Sequence, residues 1–112
     1  MEFKSINPYN GKEVGQFTAL TGAELDQKLE KSQKAFKAWR KVPISERAGL
    51  MVKAGQVLRD NVEEYAQMIT LEMGKPIVES RTEINKCAWV SDYYAENAEA
   101  FLQDEVIPTD AQ

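Results

Sequence analysis

The chain contains no histidine and one cysteine among its 112 residues. Without histidine, no Ser-His or Cys-His nucleophile pair can form within it. One cysteine and no histidine cannot supply the three or four ligands of a usual zinc site. An internal disulfide is excluded, which suits a reducing compartment and gives the expectation of a cytoplasmic protein. No apolar run approaches the ~18 residues of a membrane span. The opening residues MEFKSINPYN carry no signal-peptide core, and Asn-X-Ser/Thr is absent. A formal charge of −4 gives no general attraction to nucleic acid or to an anionic membrane.

What is present fits a soluble globular class: 43% apolar and 29% charged residues over about one domain's length. A chain of this size is expected to bury roughly two thirds of its unfolded surface.

The expected fold class is mainly α: an N-terminal β-hairpin followed by about four helices. Phe3–Ile6 and Glu13–Phe17 read as extended segments around Asn7-Pro8-Tyr9-Asn10-Gly11-Lys12, where Pro8 and Asn10-Gly11 favour a turn. Thr21 opens the first helix, with Glu24 at capping-box spacing. Leu25, Leu29, Ser32, Phe36 and Trp39 share one face, and Pro43 stops the run. Ser45 is the expected cap of a second helix, striped by Ala48, Met51, Ala54, Val57 and Leu58. Asn61 and Glu64 repeat the capping-box spacing ahead of a third helix carrying Val62, Tyr65, Ala66, Met68 and Ile69. Gly74 suits a left-handed helix end, and Pro76 the first turn of a fourth helix. That helix should run to about Leu102 through Ile77, Arg81, Ile84, Ala88, Ser91, Ala95, Ala98 and Phe101. An extended tail, 104–112, follows.

Candidate sites fail on local chemistry. Gly74-Lys75 is not a P-loop, since position 69 is Ile, position 76 is Pro, and a helix precedes the pair. Cys87 sits in a helical run with Lys86 as its nearest cation, and reads as a small, partly buried hydrophobe. The pairs Glu63-Glu64 and Glu96/Glu99 read as helical surface charge. Lys28, Lys31, Lys34, Lys37 and Arg40, three apart, drift by ~60° per step and spiral around their helix with acidic residues between them. No aromatic platform accompanies them, so they read as a solvated face.

Five segments fall together in a recognisable order: Ile6-Asn7-Pro8 with Asn10-Gly11-Lys12-Glu13-Val14; Ala35-Phe36-x-Ala38-Trp39; Glu46-Arg47-Ala48; Thr70-Leu71-Glu72-Met73-Gly74-Lys75-Pro76; and Tyr93-Tyr94-Ala95-Glu96-Asn97-Ala98. The ordered set resembles the N-terminal segment of the aldehyde dehydrogenase superfamily, and most of all its bacterial NAD(P)-dependent succinate-semialdehyde dehydrogenases. The resemblance covers nearly all 112 residues. It implies a parent several times longer that oxidises an aldehyde through a cysteine thiohemiacetal and passes hydride to NAD or NADP. The catalytic residues and the cofactor's glycine turn would lie far beyond position 112, so none is assigned here and no cofactor is expected for this chain alone.

By the same resemblance, 1–20 is an extended hairpin segment, 21–103 the helical layer of the cofactor-binding domain, and 104–112 a truncated tail. Ser5, Ile6 and Glu72 match positions that hold a structural monovalent cation in some members, where aspartate often stands in place of Glu72. Glu83 to Cys87 match a helix lining the substrate funnel, with Cys87 the candidate lining residue. The implied partners are the remainder of the chain, a small-molecule aldehyde and further copies in a homo-oligomer, with no nucleic acid and no membrane. The alternative is a stand-alone helical interaction module, which a native stop codon after Gln112 would favour and a continuing reading frame would exclude.

Overall fold

The structure is a computed structural model that describes residues 1–110; Ala111 and Gln112 of the expected tail lie outside the described residues. Two antiparallel strands come first, β1 (Glu2–Ile6) and β2 (Glu13–Thr18). Lys4 pairs with Gln16 and Ser5 with Gly15, but Ile6 pairs with Glu13, so a bulge next to Ser5 takes up Val14. The intervening turn is held from within. Asn7 N–H donates to Lys12 O and Gly11 N–H to Asn7 O, both at 2.8 Å. Asn7 Oδ1 accepts from Tyr9 N–H at 2.9 Å, an Asx turn. Gly11 takes φ +69°, the conformation that the Asn10-Gly11 pair led us to expect.

Helix α1 (Gly22–Trp39) starts at the expected capping box: Thr21 Oγ1 accepts from Glu24 N–H, and Glu24 Oε2 accepts from Thr21 N–H at 2.8 Å. The Thr21 backbone N–H holds the Glu24 carboxyl below the usual carboxylate range, with the Thr21 hydroxyl and Lys28 adding to it. No residue of α1 is buried.

Helix α2 (Ile44–Asp60) begins two residues earlier than the expected Ser45 cap allows. Pro43 fixes an extended φ/ψ, and its carbonyl accepts the first helical bond from Arg47 N–H at 3.2 Å. Ser45 therefore falls inside the first turn, and no side chain caps the helix. The second expected capping box is also absent. Asn61 does precede α3 (Val62–Met73), but its Nδ2 donates backward to Val57 O at 2.8 Å, closing α2 instead of capping α3.

Helix α4 (Ile77–Phe101) follows Gly74, which is left-handed at φ +71° with its N–H on Thr70 O. Pro76 stands just before the helix and not in its first turn; its carbonyl accepts from Ser80 N–H at 3.0 Å. At 25 residues the helix is roughly 40 Å long.

The core lies where α2 and α3 press on one face of α4. Ser80, Ile84, Ala88 and Ser91 are buried there, opposite Gly55 of α2 and Ala66 of α3. A Cβ on Gly55 would come within 3.1 Å of both the Ala88 carbonyl and Asp92 Oδ1, so the glycine sets how closely α2 and α4 approach. The expected α2 stripe is displaced as a result: Met51 and Val57 are exposed, as is Met68 on α3. Two inter-helix ion pairs flank the core, Arg59–Asp92 and the forked Arg81–Glu63 at 2.8 and 2.9 Å.

This core is thin. The accessible surface is 9419 Å², against about 6,200 Å² for a compact monomer of this mass. The radius of gyration is 20.1 Å, where about 13 Å is usual for this length. Burial is nearer half than the two thirds expected from size. Ile84 and Ala88 are covered, but Leu25, Leu29, Phe36, Trp39 and Phe101 all stand exposed.

The joint at Gly74 yields a test. A Cβ there would lie 2.9 Å from Pro8 Cγ, in addition to the strain of positive φ. Gly74→Val should lose roughly 1 kcal/mol or more in urea unfolding, and Gly74→Asn less. Pro8→Ala should recover part of the Asn loss. Equal midpoints for the Val and Asn variants would count against the left-handed joint, and strict additivity with Pro8→Ala against the contact.

Candidate functional site

Two regions bear the sequence's candidate residues. The first is formed where the hairpin turn meets the α3–α4 joint. The Pro8 ring rests against Gly74, and Asn7 beside it is buried. Ser5 is half-buried and Ile6 exposed. Glu72 lies two residues before Gly74 at the exposed end of α3, and its carboxylate has no hydrogen-bond or ion-pair partner among the described residues. Segments more than sixty positions apart thus come together, and sequence spacing alone did not reveal it. No group of three Asp, Glu, Cys or His gathers there or elsewhere among the described residues.

The second region is the outer face of α4. Lys75, Val78, Glu79, Thr82, Glu83 and Lys86 line an open groove of about 630 Å³. Lys75 forms an ion pair with Glu83, and that bond holds the ammonium above the usual lysine value, with Glu79 adding a weaker pull. Cys87 is exposed, not partly buried as its sequence context suggested, and it does not line this groove. The reason is angular. The buried stripe passes through Ile84 and Ala88, and Cys87 lies about 100° around the helix from Ala88. Among the described residues no base or cation is paired with the thiol.

The residues that join the helices escaped the sequence reading. Arg59–Asp92 and Glu63–Arg81 are 33 and 18 positions apart. Thr70 Oγ1 and Ser80 Oγ, 3.0 Å apart, tie α3 to α4 across the joint. Only a correct helix packing pairs these side chains; no local pattern does.

A two-stranded hairpin leading into an open, three-helix face plus an unburied leading helix defines a layer with much apolar surface. The family model for the aldehyde dehydrogenase family matches residues 1–112, and the chain belongs to that family. It is 40% identical over 111 residues to a probable succinate-semialdehyde dehydrogenase (NADP(+)) of Synechocystis sp., covering 99% of this chain and 24% of that one. With the Deinococcus radiodurans succinate-semialdehyde dehydrogenase (NADP(+)) it shares 36% over 106 residues, 95% of this chain and 22% of the relative. The crystal structure of succinic semialdehyde dehydrogenase from Streptococcus pyogenes with NADP+ superimposes with a TM-score of 0.90 at 32% identity, over 96% of this chain and 24% of that one. The chain therefore spans about a quarter of the length of the relatives it matches.

The forked Glu63–Arg81 pair gives a pH prediction. The Arg81 guanidinium holds the Glu63 carboxyl below the usual carboxylate range. A depressed native pKa contributes stability above the unfolded pKa, and that contribution is lost as pH falls through the native one. The urea midpoint should fall between about pH 5 and pH 3, and Glu63→Gln should flatten part of that fall. Glu24 supplies the same sign and remains in the variant. Identical profiles for both proteins would show that the pair is not formed in solution.

Proposed function

We propose that the chain serves as the N-terminal layer of an NAD(P)-dependent aldehyde dehydrogenase whose substrate is succinate semialdehyde or a close analogue. One observation carries this: a likeness spanning 96% of this chain and only 24% of a succinic semialdehyde dehydrogenase. In this reading 1–20 is the entering hairpin segment, 21–103 the helical layer over the cofactor-binding domain, and 104–110 the described part of the connecting tail. The six glycines include no Gly-x-Gly turn for a dinucleotide phosphate. No step of hydride transfer is therefore assigned to this chain's residues; their work is to cover and position the rest.

Two finer assignments go with it. Main-chain oxygens of Ser5 and Ile6, with the Glu72 carboxylate, hold a structural monovalent cation; the meeting of Pro8 with Gly74 supports this. Cys87, exposed on α4, lines the route of the aldehyde without reacting. The compartment is the cytoplasm, and the absence of any helix long and apolar enough to cross a membrane among the described residues is in keeping with that.

The test is a chimera in which this chain replaces the matching quarter of the Synechocystis relative. The chimera should reduce NADP+ with succinate semialdehyde, while the 112-residue chain alone should not. An inactive or unfolded chimera would sink the reading. Turnover by the isolated chain that survives Cys87→Ala would reveal an overlooked site; turnover lost in Cys87→Ala would make that thiol a nucleophile.

Homo-oligomer formation is the remaining part of the proposal. Leu25, Leu29, Phe36 and Phe101 leave apolar faces bare, and such faces usually find a partner. Helix pairing between copies, or exchange of α4 across the Gly74-Pro76 joint, would cover them. In sedimentation velocity the isolated chain should shift above its monomer mass as concentration rises. A single 12.7 kDa species throughout would refute self-association.

A further inference from the structure

The hairpin turn holds a dipeptide that can react with itself. Of the five asparagines, only Asn10 precedes a glycine. The amide nitrogen that follows an asparagine can attack the side-chain carbonyl carbon, and a following residue without a Cβ leaves that approach open. The other four asparagines are followed by Pro8, Val62, Lys86 and Ala98. Pro8 has no N–H to ionise. The Asn61, Asn85 and Asn97 amides each donate to a carbonyl one helical turn back, on Val57, Arg81 and Tyr93.

The turn gathers the reacting groups and withholds the proton. Asn10 is exposed, and its Oδ1 accepts from Lys12 N–H at 3.0 Å. That bond folds the carboxamide back over the Gly11 peptide and polarises its carbonyl. The Gly11 N–H is engaged elsewhere, donating to Asn7 O at 2.8 Å. The nitrogen becomes a nucleophile only after losing that proton, and a hydrogen-bonded amide releases its proton to solvent only when the bond opens. Asn7 holds the bond in place. It is buried, its N–H donates to Lys12 O at 2.8 Å, and its Oδ1 accepts from Tyr9 N–H at 2.9 Å. Pro8 beside it rests against Gly74, so the lock on Gly11 is tied to the α3–α4 joint.

We propose that Asn10-Gly11 is a self-modifying site, converting Asn10 to aspartate or isoaspartate when the turn opens, with the Gly11–Asn7 hydrogen bond as its gate. The Gly11 nitrogen bonds to Asn10 Cγ, the Cγ–Nδ2 bond breaks, and ammonia leaves with the proton that Gly11 gave up. Water then opens the cyclic imide. Cleavage at Cγ restores a normal peptide with aspartate. Cleavage at the main-chain carbonyl leaves isoaspartate, whose backbone runs through Cβ and Cγ and is one atom longer. The net change takes up water and releases ammonia, with no oxidant or cofactor. The longer loop cannot close both Asn7 bonds in the same geometry, so isoaspartate loosens the hairpin from Gly74. The site needs only the turn and is independent of the dehydrogenase reading.

The test incubates the chain in one mildly alkaline buffer with and without guanidinium chloride, following each asparagine by peptide mass spectrometry. In denaturant Asn10 should convert to both products, and the other four asparagines should lag far behind. Gly11→Val should abolish that conversion. Without denaturant the Asn10 rate should be lower by about tenfold or more, since only the open fraction reacts. Asn7→Ala, which removes the Tyr9 bond, and Gly74→Asn, which presses on Pro8, should each raise the folded rate by about threefold or more. Neither should change the rate in denaturant. An Asn10 that does not outpace the other asparagines in denaturant would sink the site. Equal rates with and without denaturant, or no acceleration in Asn7→Ala, would overturn the gate. No acceleration in Gly74→Asn would overturn its tie to the joint. An isoaspartate fraction with the same urea midpoint as the aspartate fraction would refute the loosening.

Discussion

The close approach of α2 to α4 is the constraint on which the rest of the layer depends. It is made by the smallest residues available. Gly55 faces the Ala88 carbonyl and the Asp92 carboxylate so closely that a methyl group would stand 3.1 Å from each, tighter than an ordinary contact. Ala88 of α4 and Ala66 of α3 are fully buried. Once α2 is seated, Arg59 reaches Asp92 and the inter-helix pair forms. Once α3 turns back through the left-handed Gly74, Thr70 meets Ser80 and Glu63 meets Arg81. The polar links are consequences of the backbone approach, since each needs its two helices already in register.

A core built from Gly, Ala and Ser buries little apolar area per residue. Small residues give geometry, and large ones give hydrophobic free energy at roughly 25 cal/mol for each Å² removed from water. Here the large residues point outward: Trp89 is 61% exposed and Phe36 53%. Trp89, Tyr93, Tyr94 and Phe101 do gather along α4, with Tyr93 6.1 Å from Trp89, 5.4 Å from Tyr94 and 6.1 Å from Phe101 between ring centres. That cluster lies along one helix. The layer is thus specified in shape by its own residues and left short of burial.

Elements governed by local chemistry were legible in the sequence; those governed by packing were not. The Thr21–Glu24 box, the Asn10-Gly11 turn and the Gly74 helix end each rest on a few neighbouring residues, and each formed as the pattern implied. Ser45 and Asn61 misled because a cap must compete. At α2, Pro43 had already set the backbone and offered its carbonyl. At α3, the Asn61 amide found a stronger use in closing the helix behind it. The α2 stripe misled for a related reason: apolar periodicity marks Met51 and Val57, but the closest packing is at a glycine, which carries no hydropathy signal.

The candidate sites divide along the same line. From composition Cys87 could be denied a histidine partner, since no histidine exists in the chain. Its exposure could not be foreseen, because that depends on which arc of α4 the other helices claim. Likewise the Asn7-Pro8 turn and the Glu72–Gly74 end of α3 gave two separate motifs in sequence. The Pro8–Gly74 contact makes them one region, and it does so through a residue with no side chain. A side chain at position 74 would both oppose the left-handed helix end and push the hairpin away. The same glycine therefore closes α3, turns the chain toward α4 and admits the hairpin, so no other residue there would serve all three demands.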